Sequence, residues 1–268
     1  MKKLNLFLGI LIGITILSCS SDDDSTINDN PNENNLKRIT SLQVMENGSL
    51  VRQYDFEYEN ERLASFTEVG DERIVFSYSD DRIVLAEEFN FTGSEYNQLD
   101  ETTTYTFEND LLVSDLTEFI QGGGNRHQYD FNPNGQITEY SFFQCPTSLN
   151  DCIPNGSRIF EYGSNNNIIT ETQTDNNSNI VFSTEYSNYD DKNHPFAGID
   201  IKARRLFWNY FQSMNFNNYS TLTRFDSNGT ETGSSSFTFT YDDDDFPTEI
   251  TEINNTTNDQ TVYSFIYE

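Results

Sequence analysis

The sequence predicts an all-β protein: an antiparallel β-meander of repeated hairpins that forms one strongly curved or barrel-like domain. Three observations lead there. Aromatic and polar residues alternate with a period of two, turn-forming Asn, Asp and Gly separate the alternating stretches, and helical periodicity is nearly absent. The clearest unit, Val51 to Phe66, contains the stretch Tyr54-Asp55-Phe56-Glu57-Tyr58. A period of two places the three rings on one face of a strand and the carboxylates on the other.

This unit recurs almost to the C-terminus, each time as alternating rings, a polar turn and a new apolar run. Later copies begin at Ile74, Tyr105, Tyr129, Phe160, Phe182, Phe237 and Tyr263. A single hairpin cannot bury its aromatic face, so neighbouring hairpins must pair into a larger sheet. We therefore expect about 14–16 strands in a closed or strongly curved sheet, with the rings on one face.

The chain is strongly acidic, with a formal net charge of −29, and it is rich in rings, with 22 Phe and 15 Tyr. Such a charge argues against nucleic acids and anionic lipid surfaces as partners. The aromatic content argues against disorder over residues 36–268, because each buried ring stabilises a fold by roughly 1.5–3 kcal/mol. We expect that range to be one β-hairpin-repeat domain.

The N-terminus has the pattern of a secretory signal. Lys2 and Lys3 precede an apolar run from Leu4 to Leu17, which is 14 residues (17 − 4 + 1) and ends just before Cys19. A membrane span needs about 20 residues, so a retained anchor helix is the weaker interpretation. The stretch Ile16-Leu17-Ser18-Cys19 resembles the lipobox of bacterial lipoproteins. The resemblance implies that residues 1–18 are a signal peptide and that Cys19 carries lipid.

An acidic cluster, Ser21-Asp22-Asp23-Asp24, follows Cys19 almost at once. It resembles the surface-export signal of Bacteroidota lipoproteins, which implies an outer-membrane protein that faces the extracellular side. The alternative is that these residues simply begin a flexible acidic tether over residues 19–35, and the two interpretations are compatible. This tether has too few apolar residues to order itself.

Cys145 and Cys152 remain once Cys19 is assigned to lipid. In an oxidising compartment such a closely spaced pair is most simply a loop disulfide. A metal site is the rival interpretation, but the two histidines, His127 and His194, each stand alone in the sequence. We favour the disulfide.

Asp130, Asn132 and Asn134 match the first half of a calcium-binding loop. The twelfth position of that loop would be Ser141 instead of a bidentate Glu, so the template is half filled. Pro133-Asn134-Gly135 is also a good hairpin turn, and we favour the turn.

The segment from His194 to Asn218 breaks the hairpin pattern. It holds the basic cluster of Lys202, Arg204 and Arg205, together with the rings of Trp208 and Tyr210. The favoured interpretation is a segment that caps or plugs the β-sheet, with a short helix or irregular loop in its middle. The functional alternative is a ligand site, because aromatic rings beside arginines suit sugars or acidic groups.

Two levels of family resemblance follow from these motifs. Tyr129-Asp130 with Asn134-Gly135, and Phe225-Asp226 with Asn228-Gly229, resemble the YD repeat of RHS-type shells. The stretch of residues 189–196, followed by Asn217-Asn218, resembles a segment of Bacteroidota surface lipoproteins that have YD-like hairpins and a porin-like β-sheet. This second resemblance covers most of residues 36–268 and implies a fold and a location, not an activity.

No nucleophile motif, zinc signature or phosphate loop is present in the sequence. The sequence therefore favours a non-catalytic binding module for a glycan or another polymer, without a cofactor and attached to the membrane through the Cys19 lipid. The main alternative is a structural or interaction protein of the cell envelope. A glycan-active enzyme is the lesser alternative, since the 44 carboxylates offer many acid–base pairs.

The lipid and the acidic cluster can be separated by mutation. We expect Cys19→Ser to release the protein or leave it unprocessed. We expect joint replacement of Asp22, Asp23 and Asp24 by Ala to keep the lipid but leave the protein on the periplasmic side. Protease shaving of intact cells is the measurement, and equal shaving of the triple-Ala and wild-type proteins would show that the cluster is only a tether.

Overall fold

Residues 36–199 and 212–268, which the computed structural model describes, form a closed antiparallel barrel of sixteen strands. Each strand pairs with its neighbours in the chain, and β1 closes the barrel against β16. The strands are β1 Ile39–Glu46, β2 Ser49–Glu59, β3 Arg62–Glu68, β4 Glu72–Ser79, β5 Arg82–Thr92, β6 Glu95–Glu108, β7 Leu111–Phe119, β8 Gly124–Phe131, β9 Ile137–Cys145, β10 Ile153–Tyr162, β11 Ile168–Thr174, β12 Ile180–Tyr189, β13 Tyr219–Asp226, β14 Glu231–Tyr241, β15 Pro247–Asn254 and β16 Gln260–Tyr267.

This architecture confirms the predicted all-β meander, and of the two expected forms, closed or strongly curved, the sheet has the closed one. The described ranges contain no α-helix, and no helical segment in them has the length and hydropathy of a membrane span. The positions predicted for turns, from Asn47-Gly48 to Asp242–Asp245, all connect strands.

The barrel has two different ends. At the terminal end the chain enters β1, β16 finishes, and the backbones of Arg38 and Glu268 exchange hydrogen bonds of 3.2 and 2.9 Å. The distal end carries the other set of turns, among them Asn47-Gly48 and the loop between β9 and β10. Because even-numbered strands run from the distal to the terminal end, the predicted polar turn of each hairpin repeat lies at the terminal end.

The two faces of the sheet differ in the predicted way. Tyr54 and Phe56 point inward and are almost fully buried, whereas Glu57 lies on the outer face and is exposed. Paired rings continue along the inner face, as where Tyr54 stacks on Phe66 with ring centroids 5.2 Å apart. The outer face carries carboxylates in the middle of strands, together with many Thr and Ser residues. Those mid-strand carboxylates are Glu57, Glu87, Glu139 and Glu185.

A repeated hydrogen bond explains why the hairpin unit carries a tyrosine. At the end of five even-numbered strands, a tyrosine hydroxyl donates to the backbone carbonyl at the start of the preceding odd-numbered strand. The pairs are Tyr58 to Ile39, Tyr78 to Leu63, Tyr162 to Ile137, Tyr189 to Ile168 and Tyr267 to Pro247. Burial raises the pKa of four of these hydroxyls, those of Tyr58, Tyr162, Tyr189 and Tyr267, so they stay protonated and keep donating. We call these contacts the tyrosine latches.

Three arginines add a second repeated contact at the terminal end. Arg38, Arg62 and Arg82 lie over the rings of Tyr58, Tyr78 and Phe107, at 5.5 to 5.8 Å from the ring centroids. Each arginine also pairs with an acid of the next turn, and those acids are Glu61, Asp81 and Asp110. Because exposed ion pairs contribute little to stability, the main effects of these arginines are to stack on the rings and to position the neighbouring turns.

The turn residues that resemble half of a calcium loop have a local role. The side-chain oxygen of Asn132 accepts hydrogen bonds from the backbone N–H groups of Asn134 and Gln136, at 2.9 and 3.1 Å. Asp226 does the same in another turn, where the N–H groups of Asn228 and Thr230 donate to its carboxylate. Side-chain acceptors of this kind are typical of Asx turns. Asn132 and Asn134 therefore belong to a hairpin turn, and Asp130 lies in β8.

Residues 190–218, which connect β12 to β13, include the largest departure from the meander. In its described parts, 190–199 and 212–218, this connection packs into the terminal end, and we call these parts the plug. Phe196 is fully buried, and its ring lies 6.2 Å from that of Phe56 inside the barrel. This confirms the predicted capping role for the described parts. Residues 200–211, with Arg204, Arg205, Trp208 and Tyr210, lie outside the described residues.

Buried asparagines attach the plug to the barrel. The side-chain oxygen of Asn167 accepts from the N–H groups of Phe216 and Asn217 at 2.8 and 3.1 Å, and that of Asn215 accepts from the N–H of Ile168 at 2.7 Å. Asp190 accepts from the Tyr241 hydroxyl at the other side. Each bond satisfies a backbone or side-chain group that would be costly to bury alone.

Cys145 and Cys152 are joined by a disulfide in the structure. The bond closes the loop at the distal end between β9 and β10, with the two Cα atoms 3.9 Å apart. Gly123 and Gly124 lie close to the same region, since a Cβ on Gly123 would come within 2.5 Å of the Cys145 carbonyl oxygen. The loop is therefore tightly packed against the neighbouring turn.

The latches predict a measurable loss of stability. We expect Tyr162→Phe to lower the free energy of unfolding by about 1 kcal/mol, because it leaves the Ile137 carbonyl without its donor. For a domain of this size that is a fall of about 2–4 °C in Tm. Chemical and thermal denaturation measure it. An unchanged midpoint would show that the hydroxyl contributes nothing and that only the ring matters.

Candidate functional site

The inside of the barrel is not uniformly apolar. Between the plug and the distal end, polar and charged side chains interrupt the inward rings and line two cavities. We call them the carboxyl pocket, of about 200 Å³, and the arginine pocket, of about 460 Å³. Strand side chains build the carboxyl pocket and most of the arginine pocket, and the plug residue Gln212 also lines the arginine pocket.

The carboxyl pocket lies under β4 to β9. Strand register brings its acids together, because Ile74 pairs with Glu88, and Glu88 pairs with Glu101 on the next strand. Further along the sheet, Asp115 lies between Tyr105 and His127 in the same way. The other polar or aromatic lining residues are Thr103, Thr117, Tyr129 and Tyr140.

Burial and mutual repulsion change the protonation of the glutamates. Burial is the main reason why the pKa of Glu88 rises to about 8, and the nearby charges of Glu101 and Glu72 raise it further. Glu72 shares a hydrogen bond with Glu88, and burial also raises the pKa values of Glu72 and Glu101. At neutral pH Glu88 is therefore mainly a neutral acid that can donate a hydrogen bond, beside carboxylates that accept.

An aspartate and a histidine form the opposite wall. Asp115 is buried, and its Oδ1 lies 2.6 Å from Nδ1 of His127. The Tyr129 hydroxyl donates to the other oxygen of Asp115. Tyr140 packs against both rings, with centroids 4.8 Å from His127 and 5.4 Å from Tyr129. This corrects the expectation that His127 stands alone: neighbouring strands give it an acidic partner that is distant in sequence.

The arginine pocket lies under β10 to β14. Glu171 is buried there and pairs with Arg158, with 3.1 Å between the guanidinium and its Oε1. Its Oε2 accepts from the Tyr186 hydroxyl at 3.0 Å and from Nε2 of the plug residue Gln212 at 2.7 Å. Arg224, near the distal end, completes the charged lining.

The structure places the sequence-predicted site residues as follows. Cys19, Ser21, Asp22, Asp23 and Asp24, and the ligand candidates Arg204, Arg205, Trp208 and Tyr210, lie outside the described residues. Cys145 and Cys152 lie in the distal loop, and neither of them lines either pocket. Among residues 36–199 and 212–268, no group of three or more His, Cys, Asp or Glu is placed to hold a metal ion.

Sequence reasoning did not single out the residues of either pocket. A signal was nevertheless present in the phase of the alternation. Glu72 is in phase with the inward residues Ile74 and Phe76, and Glu101 is in phase with Tyr105. A charged residue in phase with buried rings is an inward charge, and that is uncommon without a reason.

Comparisons with known proteins agree with the fold. No family model matches the chain, and no curated protein matches it. A porin-like protein from Bacteroides uniformis is similar in structure, with a TM-score of 0.52 and 13% identity over 86% of this chain and 96% of that chain. A porin-like protein from Bacteroides vulgatus aligns with a TM-score of 0.42 and 11% identity over 87% of this chain and 99% of that chain.

A putative outer membrane lipoprotein-sorting protein domain from Vibrio parahaemolyticus also aligns, at 11% identity over 87% of this chain and 85% of that chain. Its TM-score of 0.20 is too low to carry an argument. The likeness to the Bacteroides uniformis protein, at this identity, concerns the fold alone.

The glutamates of the carboxyl pocket predict a pH dependence of stability. Because the pKa of Glu88 is about 8 in the folded protein and about 4.3 in an unfolded chain, the folded state holds the extra proton between these values. Its contribution to stability is complete below about pH 4.3 and is lost as the pH rises through about 8. We expect Glu88→Gln to raise Tm at pH 8.5 relative to wild type, with a smaller effect at pH 5.

The matched control is Glu87→Gln, which removes a carboxylate from the outer face of the same strand. Thermal unfolding at the two pH values is the measurement. An equal response of both variants would contradict a special environment for Glu88.

Proposed function

We propose that this protein is a lipid-anchored, outer-membrane binding protein of the cell surface, which takes a neutral sugar unit of a glycan in its carboxyl pocket. The observation that carries the proposal is the composition of that pocket. A neutral acid, carboxylates and the packed rings of His127, Tyr129 and Tyr140 line one cavity inside the barrel.

The chemistry of the lining suits a sugar. The apolar C–H face of a sugar ring packs on aromatic faces, and its hydroxyl groups donate to carboxylates or accept from a protonated acid. Glu88 is such an acid at neutral pH, and its pKa is about 8. Apart from His127, the residues that line this pocket include no basic side chain to hold an anionic ligand, so the ligand we propose is neutral. A cavity of about 200 Å³ is smaller than the roughly 300–1,000 Å³ of most small-molecule sites, so the ligand we propose for it is one sugar unit at the end of a glycan chain.

The proposed location rests on the outer face and on the position of the termini. A membrane-spanning barrel presents an apolar outer band about 25 Å tall. This barrel instead presents mid-strand carboxylates, among them Glu57, Glu139 and Glu185, so we propose that lipid on Cys19, and not the barrel, holds it at the membrane. The fold likeness to a porin-like Bacteroides protein and the lipobox resemblance both support an envelope protein. The tether would join the terminal end, leaving the distal end away from the membrane.

A panel of glycans tests the proposed binding of a neutral sugar. We expect the full chain, purified in detergent, to bind one or more neutral oligosaccharides at pH 6.5 by isothermal titration calorimetry. Binding should weaken, by up to about tenfold, at pH 9, where Glu88 is mostly ionised because its pKa is about 8. Glu88→Gln, which cannot ionise, should bind equally at both pH values, and the outer-face control Glu87→Gln should behave as wild type.

Other outcomes of the same panel favour the alternatives. No binding to any neutral glycan would contradict the proposal and favour an envelope protein of structural role. Turnover would favour a glycan-active enzyme, for which the raised pKa of Glu88 would suit a general acid.

A further inference from the structure

We propose that the arginine pocket is a second binding site, which takes the oxyanion group of an organic ligand, such as the carboxylate or sulfate of an acidic sugar. This proposal does not rest on the carboxyl pocket, because a different set of strands builds the site and its charge is of the opposite sign. Its chemistry follows from Arg224, Arg158, Glu171 and Gln212.

Arg224 is the first reason. It lies one inward position from buried Leu222 on β13 and faces Gly233 on β14, which leaves space beside it. It is exposed although it lines the cavity, so the cavity is open to solvent at this point. Among the described residues it has no ion pair, whereas most other described arginines, such as Arg62 and Arg82, have an acid within 4 Å. An inward guanidinium without a carboxylate is unusual in a chain with a net charge of −29.

The one buried carboxylate of the pocket does not neutralise Arg224. Glu171 receives the Arg158 guanidinium on one oxygen and the donors of Tyr186 and Gln212 on the other. These three partners engage both oxygens of Glu171, so its carboxylate is not paired with Arg224. Two arginines against one carboxylate leave the pocket with one formal positive charge. Because a guanidinium presents paired N–H groups that match carboxylate and sulfate oxygens, the missing partner is an oxyanion.

Gln212 indicates that the ligand carries more than an oxyanion. The residue is 3% exposed, and its Nε2 donates to Glu171, which fixes the orientation of the amide. Its Oε1 is buried and has no hydrogen-bond partner within residues 36–199 and 212–268. A buried oxygen of this kind calls for a donor. A hydroxyl group of the ligand, directly or through a water molecule, would supply it.

Size and rings complete the argument for an organic ligand. A cavity of about 460 Å³ lies within the range of roughly 300–1,000 Å³ that is typical of small-molecule sites, and is far larger than an inorganic ion needs. Phe182, Tyr186 and Tyr219 line it, and the last two pack edge to face with centroids 4.8 Å apart. An acidic sugar combines an oxyanion, hydroxyl groups and an apolar ring face, which are the three features that this lining would contact.

The test is calorimetric titration of the full chain, in detergent, with four probes: a galacturonate trimer, a sulfated disaccharide, a neutral galactose trimer and sodium sulfate. We expect one or both acidic sugars to bind, and the neutral trimer not to compete with them for this site. Arg224→Gln should weaken that binding by at least about tenfold. Arg224→Lys, which keeps the charge but loses the paired N–H groups, should fall between.

The matched control is Arg126→Gln. Arg126 also has no ion pair among the described residues, but it lies on the outer face and stacks over Phe143 at 4.6 Å. The control makes the same change of charge and should leave binding intact. Binding of the galacturonate trimer would indicate a carboxylate ligand, and binding of the sulfated disaccharide would indicate a sulfate ligand.

Three results would overturn the proposal: no acidic sugar binds at millimolar concentration, sodium sulfate alone binds, or the Arg126 and Arg224 variants lose the same affinity. A circular dichroism spectrum of each variant establishes that it is folded. If Arg224→Gln is not folded, the response of Arg224→Lys relative to the Arg126 control decides. Because Glu88→Gln leaves this pocket unchanged, loss of sugar binding at the carboxyl pocket and loss of oxyanion binding here are separate results.

Discussion

Closure of sixteen strands is the constraint on which the rest of the structure depends. A barrel of this strand number encloses more space than one layer of inward side chains fills, and porins of similar strand number hold an open channel. Here the sheet supplies large inward rings, such as Tyr54 and Phe56, and the β12–β13 connection supplies the plug. The plug fills the terminal end only. Among the described residues, neither the rings nor the plug fills the two cavities.

Filling a barrel with a loop creates a polar problem, because a plug without regular secondary structure brings backbone N–H and C=O groups into the interior. Burying such groups without partners is costly. Asparagine side chains satisfy these groups. The buried side-chain oxygens of Asn167 and Asn215 accept hydrogen bonds from backbone N–H groups across the contact between plug and strand. Gly198 allows the plug to approach the backbone closely, because a Cβ there would come within 2.1 Å of the Lys37 carbonyl oxygen. The Asn-rich composition of this connection is thus a packing requirement.

The sequence was informative about the fold for a simple reason. A period of two is a local signal, so Tyr54, Phe56 and Tyr58 could be placed on the inner face without knowledge of any partner strand. The latches were not predictable, because the bond from Tyr58 to Ile39 depends on which strands are neighbours and on their register. The candidate site shows the same limit more strongly. Asp115 and His127 are twelve residues apart and meet only because β7 pairs with β8.

The charges inside the barrel are separated in a way that only the closed sheet can maintain. Glu72, Glu88 and Glu101 gather on one side of the lining, and Arg158 and Arg224 gather on another. Flexible side chains with opposite charges would neutralise each other, but strand register fixes each Cβ and keeps them apart. The separation costs stability on the acidic side, where repulsion and burial keep a proton on Glu88. Under the proposed function this arrangement serves binding, since both pockets lie between the plug and the distal end while the chain enters at the terminal end. Attachment through Cys19 and entry of a ligand would then use opposite ends of the barrel.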